Sequence, residues 1–247
     1  MSRRAFVEQV MGLPVSIHLR GEDLTSETVE RTVAAALTEL RRMDDLFSTW
    51  QSDSPVSRLR RGELSVSQCD PLVAEAQAIG EQARELTAGA FTTTLPDPDG
   101  IPRFDPTGLV KGWAVDRAGA VLASLPGVAW CVNAGGDVLA GRHRHVPPVG
   151  DAAAPWRVGI EDPHDRGQIA RVVPLTEGAV ATSGTAARGA HLYDPATGRA
   201  VGRAGSTSVV GPTLVWADIW ATALFVGGTK ARDAFARNAP EMSYVDL

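Results

Sequence analysis

Apolar and polar residues alternate from Phe6 to Leu19, with Val15, Ile17 and Leu19 set against Ser16, His18 and Arg20. A period of two predicts strand, turn at Gly12-Leu13-Pro14, then strand, with His18 on the solvent-facing phase. The period then changes. Val29, Val33, Leu37, Leu40 and Phe47 recur at helical spacing behind a cap at Thr25 or Ser26. Ser48 to Gly62 is turn-rich. Asp70-Pro71 opens a second helix as N-cap and first-turn proline, with Val73, Ala76, Ile79, Ala83 and Leu86 on one face and Gly89 as its end. Thr94 to Pro106, rich in Pro, Asp and Gly, reads as a loop.

A third helix is expected from about Gly108, carrying Val110, Ala114, Ala118, Val121 and Leu125 inward and stopping at Pro126-Gly127. Val128 to Val132 reads as a buried strand, and Arg142 to Pro155 as an exposed hairpin tip. Trp156 to Ile160, Ala170 to Leu175 and Ser206 to Val210 read as further strands. Leu214 to Val226 forms a last helix closed by Gly227-Gly228. Helices interleaved with strand pairs, without strict βαβ alternation, favour an α+β fold with antiparallel sheet. No internal repeat or linker breaks the chain, so residues 1–247 are expected to form a single domain.

Composition narrows the function. With 44% hydrophobic and 21% charged residues the chain is ordinary globular material. Its 24 basic against 29 acidic residues, net charge -5, exclude the basic surplus of a dedicated nucleic-acid binder. The basic runs Arg41-Arg42 and Arg58, Arg60, Arg61 read as solvated faces. Cys69 and Cys131 lack metal-ligand spacing and read as small hydrophobes. No apolar run is long enough to span a membrane. The N-terminus shows neither an apolar signal core nor a lipidation cysteine, so the expected address is the cytoplasm. Nucleotide-loop, H-E-x-x-H and G-x-S-x-G motifs do not occur. His143 and His145, flanking Arg144, offer only a weak metal pair.

Four segments carry polar residues that packing does not require. Asp105 to Asp116 is a glycine-containing helix start with Lys111 nearby, suited to a phosphate or, equally, a plain capped helix. Asn133-Ala134-Gly135-Gly136-Asp137 ends a strand with paired glycines, either a ligand approach or a hairpin turn. Ala179 to Gly184 reads as a small-residue turn before His191, which could accept a proton or simply be structural. Trp216 to Phe225 is the sharpest: an apolar helix with Asp218 and Thr222 one turn apart. A carboxylate there needs a partner, either a hard divalent cation, a threonine hydroxyl or a buried ion pair.

In this order the segments resemble the ApbE family of FAD:protein FMN transferases. Supporting stretches are Val10 to Ile17, Phe47-Ser48-Thr49-Trp50, Ser54 to Leu59, Gly89-Ala90-Phe91-Thr92, Trp156 to Ile160 and His191 to Gly198. The resemblance implies T-fold-like antiparallel sheets flanked by helices. It implies transfer of FMN from FAD to a Thr or Ser hydroxyl of an acceptor protein, as a phosphoester, with release of AMP. The acceptor would carry an FMN-binding domain with a short Ser/Thr-Gly-Ala-Thr-like motif. By the same resemblance Met11, Trp50, Ala90, Phe91, Thr92, Asp105, Lys111 and Leu192 line FAD. Gly108, through its carbonyl, Asp218 and Thr222 hold Mg²⁺. His191 and Asp218 are the catalytic candidates. Trp50 stands where many members carry tyrosine, and Thr92 where aspartate is common. An Mg²⁺-dependent FAD pyrophosphatase and a non-catalytic FAD-binding protein are the alternatives.

Overall fold

The computed structural model describes residues 2–97, 99–165, 167–185, 192–195 and 197–247. The chain runs β1 (Ser2–Val10), β2 (Leu13–Gly21), α1 (Glu27–Phe47), α2 (Pro55–Arg60), α3 (Pro71–Leu86), β3 (Thr94–Pro96), β4 (Pro102–Phe104) and α4 (Thr107–Leu122). There follow β5 (Ala129–Ala134), β6 (Asp137–Arg142), β7 (Trp156–Glu161), β8 (Ile169–Leu175), β9 (Gly178–Gly184), β10 (Tyr193–Asp194) and β11 (Arg199–Ala200). The chain ends with β12 (Ser206–Gly211), α5 (Leu214–Asn238) and β13 (Ser243–Asp246).

Among the described residues, seven strands form one antiparallel sheet in the order β1-β2-β5-β6-β9-β12-β13. Alternation assigns its two faces. Val15, Ile17, Leu19, Trp130, Val132, Leu139, Ala179, Ala181 and Val209 point into the main core beneath the helices. Cys131, Val138, Ala140 and Val180 point the other way, where the β7–β8 hairpin covers them with Leu175, Val158 and Val173. The α+β antiparallel architecture matches the expectation.

Several elements depart from the sequence reading. The turn-rich stretch after Ser48 contains α2, because Ser54 accepts a bond from Ser57 N at 3.0 Å and Pro55 occupies the first turn. The loop at 94–106 contains the β3–β4 pair. Residues 142–155 do not form a hairpin tip; they carry the chain from β6 in the main sheet to β7 in its covering hairpin. Ala179 to Gly184 is not a turn but the strand β9, whose small residues lie under α5. The last helix does not stop at Gly227-Gly228; it kinks there, with Gly228 at φ 56°, and continues to Asn238. Arg60 is not a free solvated charge: half-buried, it pairs with Asp105 at 2.8 Å.

α4 and α5 meet at a close seam. A Cβ on Gly112 would lie 2.9 Å from the Leu214 carbonyl oxygen and the Val215 Cα, so only glycine permits this approach. The start of α5 has no side-chain cap of its own at Thr213. Asp116, from α4, supplies it: its two carboxylate oxygens accept the Leu214 and Val215 N–H groups at 2.8 Å each. On the sheet side of α4, Gly119 and Gly141 leave room for the Trp130 indole.

Two outcomes follow from this seam. Gly112→Ala gains about 1 kcal/mol in helix propensity but forces the backbones apart, and is expected to lose about 1–3 kcal/mol net in urea unfolding. Burial pushes the Asp116 carboxyl up to about 6 despite its two N–H donors. The folded protein therefore holds this proton more tightly than the unfolded chain. The stability it contributes is present below about pH 4 and lost as pH rises through 6, with a slope of up to about 1.4 kcal/mol per unit. Asp116→Asn should flatten that part of the stability–pH curve; an unchanged slope relative to the parent would contradict the assignment.

Candidate active site

The first half of α5 is apolar on nearly every side, with Ala217, Ile219, Trp220, Ala221 and Leu224 buried. Asp218 is buried among them at 6% exposure. An ionised carboxylate there needs a counter-charge, and α4 provides one across the seam. Lys111 Nζ lies 2.9 Å from Asp218 Oδ2, as an ion pair without the alignment of a hydrogen bond. Among the described residues Asp218 Oδ2 is a buried acceptor with no hydrogen-bond donor.

The lysine has a second carboxylate. Lys111 Nζ donates to Asp137 Oδ2, and Asp137 is likewise buried, at 4% exposure. Asp137 sits where the sheet releases a donor. The β6–β9 pairing stops at Val138 opposite Val180, and just beyond it the Thr182 N–H donates to Asp137 Oδ1 at 2.8 Å. The preceding turn is built by Gly135 and Gly136 at φ 62° and 104°, with the Gly136 N–H bonded to Asn133 Oδ1 at 2.9 Å. Asn133 therefore closes the hairpin, and Asp137 alone of that segment reaches the cluster.

Thr222, one turn beyond Asp218, exchanges a hydrogen bond with Ser183 on β9 at 2.9 Å between hydroxyl oxygens. Alternation along β9 puts Ser183 on the helix side with Ala179 and Ala181, while Thr182 bonds Ser208 on the opposite face. Three elements thus converge: Lys111 from α4, Asp137 from β6, and Asp218 with Thr222 from α5, the last steadied by β9.

Other expected site residues border this seam. A Cβ on Gly108 would come 3.3 Å from the Phe91 ring, so Phe91 lies against the first turn of α4. Ala90 packs on Gly227 of α5, where a Cβ would come 2.5 Å from its own. Asp105 lies just before α4, held by Arg60 and by the Thr107 N–H at 3.1 Å, while its own N–H donates to the Thr93 carbonyl at 2.7 Å. Thr92 Oγ1 accepts from Thr94 N at 3.1 Å. The start of α4 is less open than expected. The Thr107 N–H is taken by Asp105, and the Leu109 and Val110 N–H groups by the Pro106 carbonyl.

Met11, Trp50 and Leu192 make none of the contacts that tie the cluster together. Met11 adopts φ 55° in the β1–β2 turn and donates its N–H to Asp44 Oδ2 at 2.9 Å. Trp50 is 93% exposed. The Leu192 carbonyl accepts the Val201 N–H at 2.8 Å. His191 lies outside the described residues. Arg60, Ser183 and the role of Asp137 as a lysine partner escaped sequence reasoning; a polar residue on the core phase of a strand was the available signal for Ser183.

Among the described residues no three His, Cys, Asp or Glu side chains converge on a metal position. His143 is engaged otherwise, its Nδ1 accepting the His145 and Val146 N–H groups at 3.1 and 2.9 Å. Burial pushes the Cys131 thiol up to about 12, which makes it an inert core residue. No helix of the described residues is long and apolar enough to cross a membrane.

Comparison with known proteins places the chain in a family and matches its fold. The model of the ApbE family matches residues 11–99 and 95–245. The FAD:protein FMN transferase of Salmonella typhimurium is 28% identical over 81% of this chain and 72% of its own length. The FAD:protein FMN transferase of Rhodobacter capsulatus is 31% identical over 64% of this chain, but that match spans only 30% of the relative. The solved flavin transferase ApbE of Vibrio cholerae superposes with a TM-score of 0.80 at 20% identity, over 99% of this chain and 93% of that one, and shares its fold. With a family model running from Met11 to Val245, this chain belongs to the ApbE family.

Proposed function

We propose that this protein transfers the FMN portion of FAD to a serine or threonine hydroxyl of an acceptor protein. The observation that carries the reading is the buried meeting of Lys111 and Asp218, with Thr222 one turn away, at the α4–α5 seam. In the reaction the hydroxyl oxygen bonds to the phosphorus on the riboflavin side of the pyrophosphate. The bond from that phosphorus to the bridging oxygen breaks, and AMP leaves with the proton.

An all-oxygen donor set suits a hard divalent cation. Asp218 Oδ2 is a buried acceptor with no hydrogen-bond donor among the described residues, which fits such a group. Asp218, Thr222 and the Gly108 carbonyl would hold Mg²⁺. When bound, Mg²⁺ supplies neutralising charge to the phosphate oxygens. Ser183 holds the Thr222 hydroxyl in place through their shared hydrogen bond. Lys111 adds a point charge for the pyrophosphate. Phe91 and Ala90 give apolar surface beside α4 and α5, and Asp105, neutralised by Arg60, borders the same helix start. Met11, Trp50, Thr92 and Leu192 complete the proposed FAD contacts. The exposed Trp50 indole is a surface on which a flavin or adenine ring stacks. His191 orients the acceptor hydroxyl or takes its proton.

The reading is tested by incubating the protein with FAD, Mg²⁺ and an FMN-domain acceptor, with intact-mass measurement of the acceptor and assay of AMP. Expected is a gain equal to FMN less one water, with AMP formed only when acceptor is present. Free FMN and AMP without acceptor would instead make the protein a pyrophosphatase; intact FAD in both tubes would remove the enzymatic reading. Asp218→Ala is expected to lower transfer by about a hundredfold or more while the far-UV circular dichroism stays unchanged. Transfer at the parent rate would reject Asp218 as a ligand.

A further inference from the structure

Lys111 is shared between two buried carboxylates of different character. Asp137 is engaged at both oxygens: Oδ2 receives Lys111, and Oδ1 receives the Thr182 N–H at 2.8 Å. Asp218 is open, because the 2.9 Å approach of Lys111 leaves its Oδ2 without an aligned donor among the described residues. One ammonium thus faces two negative charges, and among the described residues only Asp137 is fixed by a backbone donor. Asp137 and Asp218 are nearly fully buried, whereas the Lys111 side chain remains 20% exposed. The Lys111 ammonium touches both carboxylates at once.

We infer that Asp137 is a positioning residue that retains Lys111 when a divalent cation takes Asp218, and that Lys111 competes with the cation for Asp218 until then. The inference rests on the proposed metal role of Asp218. Its physical content is a charge exchange. In the free protein Lys111 is the counter-ion of Asp218, and opposite charges this close at a partly buried site attract by several kcal/mol even at an effective dielectric of about 20. A cation arriving at Asp218 brings the ammonium a like-charge neighbour. Asp137 gives the displaced lysine a carboxylate it already touches, so no lone buried charge is left behind. The Thr182 N–H keeps Asp137 from turning toward the cation itself. Lys111 is thereby held at the edge of the site, where the proposed pyrophosphate needs it.

The two members of this pair have opposite effects, which general damage to the fold does not produce. Asp137→Asn leaves Lys111 with Asp218 as its sole carboxylate among the described residues, so cation binding removes the counter-charge of the ammonium. Lys111→Met keeps chain length and removes the competitor, leaving two carboxylates without a counter-ion. The readout is the Mg²⁺ concentration at the midpoint of the thermal-stability increase, measured on flavin-free protein with MgCl₂ alone. Expected is a shift to about tenfold higher Mg²⁺ in Asp137→Asn, equivalent to about 1.4 kcal/mol. Lys111→Met should move the midpoint to lower Mg²⁺ and enlarge the total gain in Tm, even though it loses transferase activity. Asp218→Asn serves as reference and should abolish the Mg²⁺ response. If Asp218→Asn abolishes it while both other variants keep the parent midpoint, or move it in the same direction, the positioning role is wrong and the metal reading stands. If Asp218→Asn responds like the parent, or the parent itself does not respond to Mg²⁺, the metal reading fails and this inference falls with it.

Discussion

The close approach of α4 to α5 is the constraint on which the site depends. Gly112 allows the two backbones to touch, and Asp116 from one helix caps the other. The cap fixes where α5 begins, and the contact fixes its distance from α4. Lys111 is one residue from Gly112, and Asp218 is one turn into α5 from the capped N–H groups. Their meeting is therefore a by-product of how the helices are joined. The energetic logic is economical in residues: a single short stretch of α4, Lys111 to Asp116, closes the seam, caps its neighbour and places a charge.

Burial is what gives these groups chemical meaning. A surface lysine near an aspartate contributes little, because water and salt screen the pair. Here Asp137 and Asp218 are almost removed from solvent, so each interaction is strong and each unmet one is costly. The sheet contributes through an interruption. Where β6 and β9 cease to pair, the Thr182 N–H becomes available to a side chain, and Asp137 occupies it. A regular ladder would have consumed that donor.

Much of this was legible in the sequence, and the failures have physical causes. The long amphipathic helices and the β1–β2 pair follow from periodicity. Asp218 and Thr222 stand out because a carboxylate in an apolar helix demands an explanation. β9 is hidden in the sequence because Ala179, Ala181 and Gly184 have weak strand propensity; the packing of α5 against them, a tertiary effect, selects small residues there. The Gly227-Gly228 pair looked like a helix end, yet the residues beyond it, Ala231, Ala234 and Phe235, still bury an apolar face and carry the helix past the kink. Arg60 looked solvated because its partner Asp105 lies 45 residues away, and no local spacing reports such a pair. Asp137 was visible as a polar residue, but its partnership with Lys111 depends on helix and sheet being brought together.

The alternation along β9 has a consequence for how the chain tolerates change. In five consecutive residues, Ala179 to Ser183, odd positions face the helices and even positions face the opposite side of the sheet. A strand displaced by one residue would turn Val180 and Thr182 toward α5, where the packing takes Ala179 and Ala181, so the buried faces hold the register. The same slip would turn the Ser183 hydroxyl away from Thr222 and move the Thr182 N–H from Asp137. Insertion or deletion of a single residue in this strand thus strikes the packing under α5 and the charged cluster together. The registry of β9, more than its composition, encodes the site.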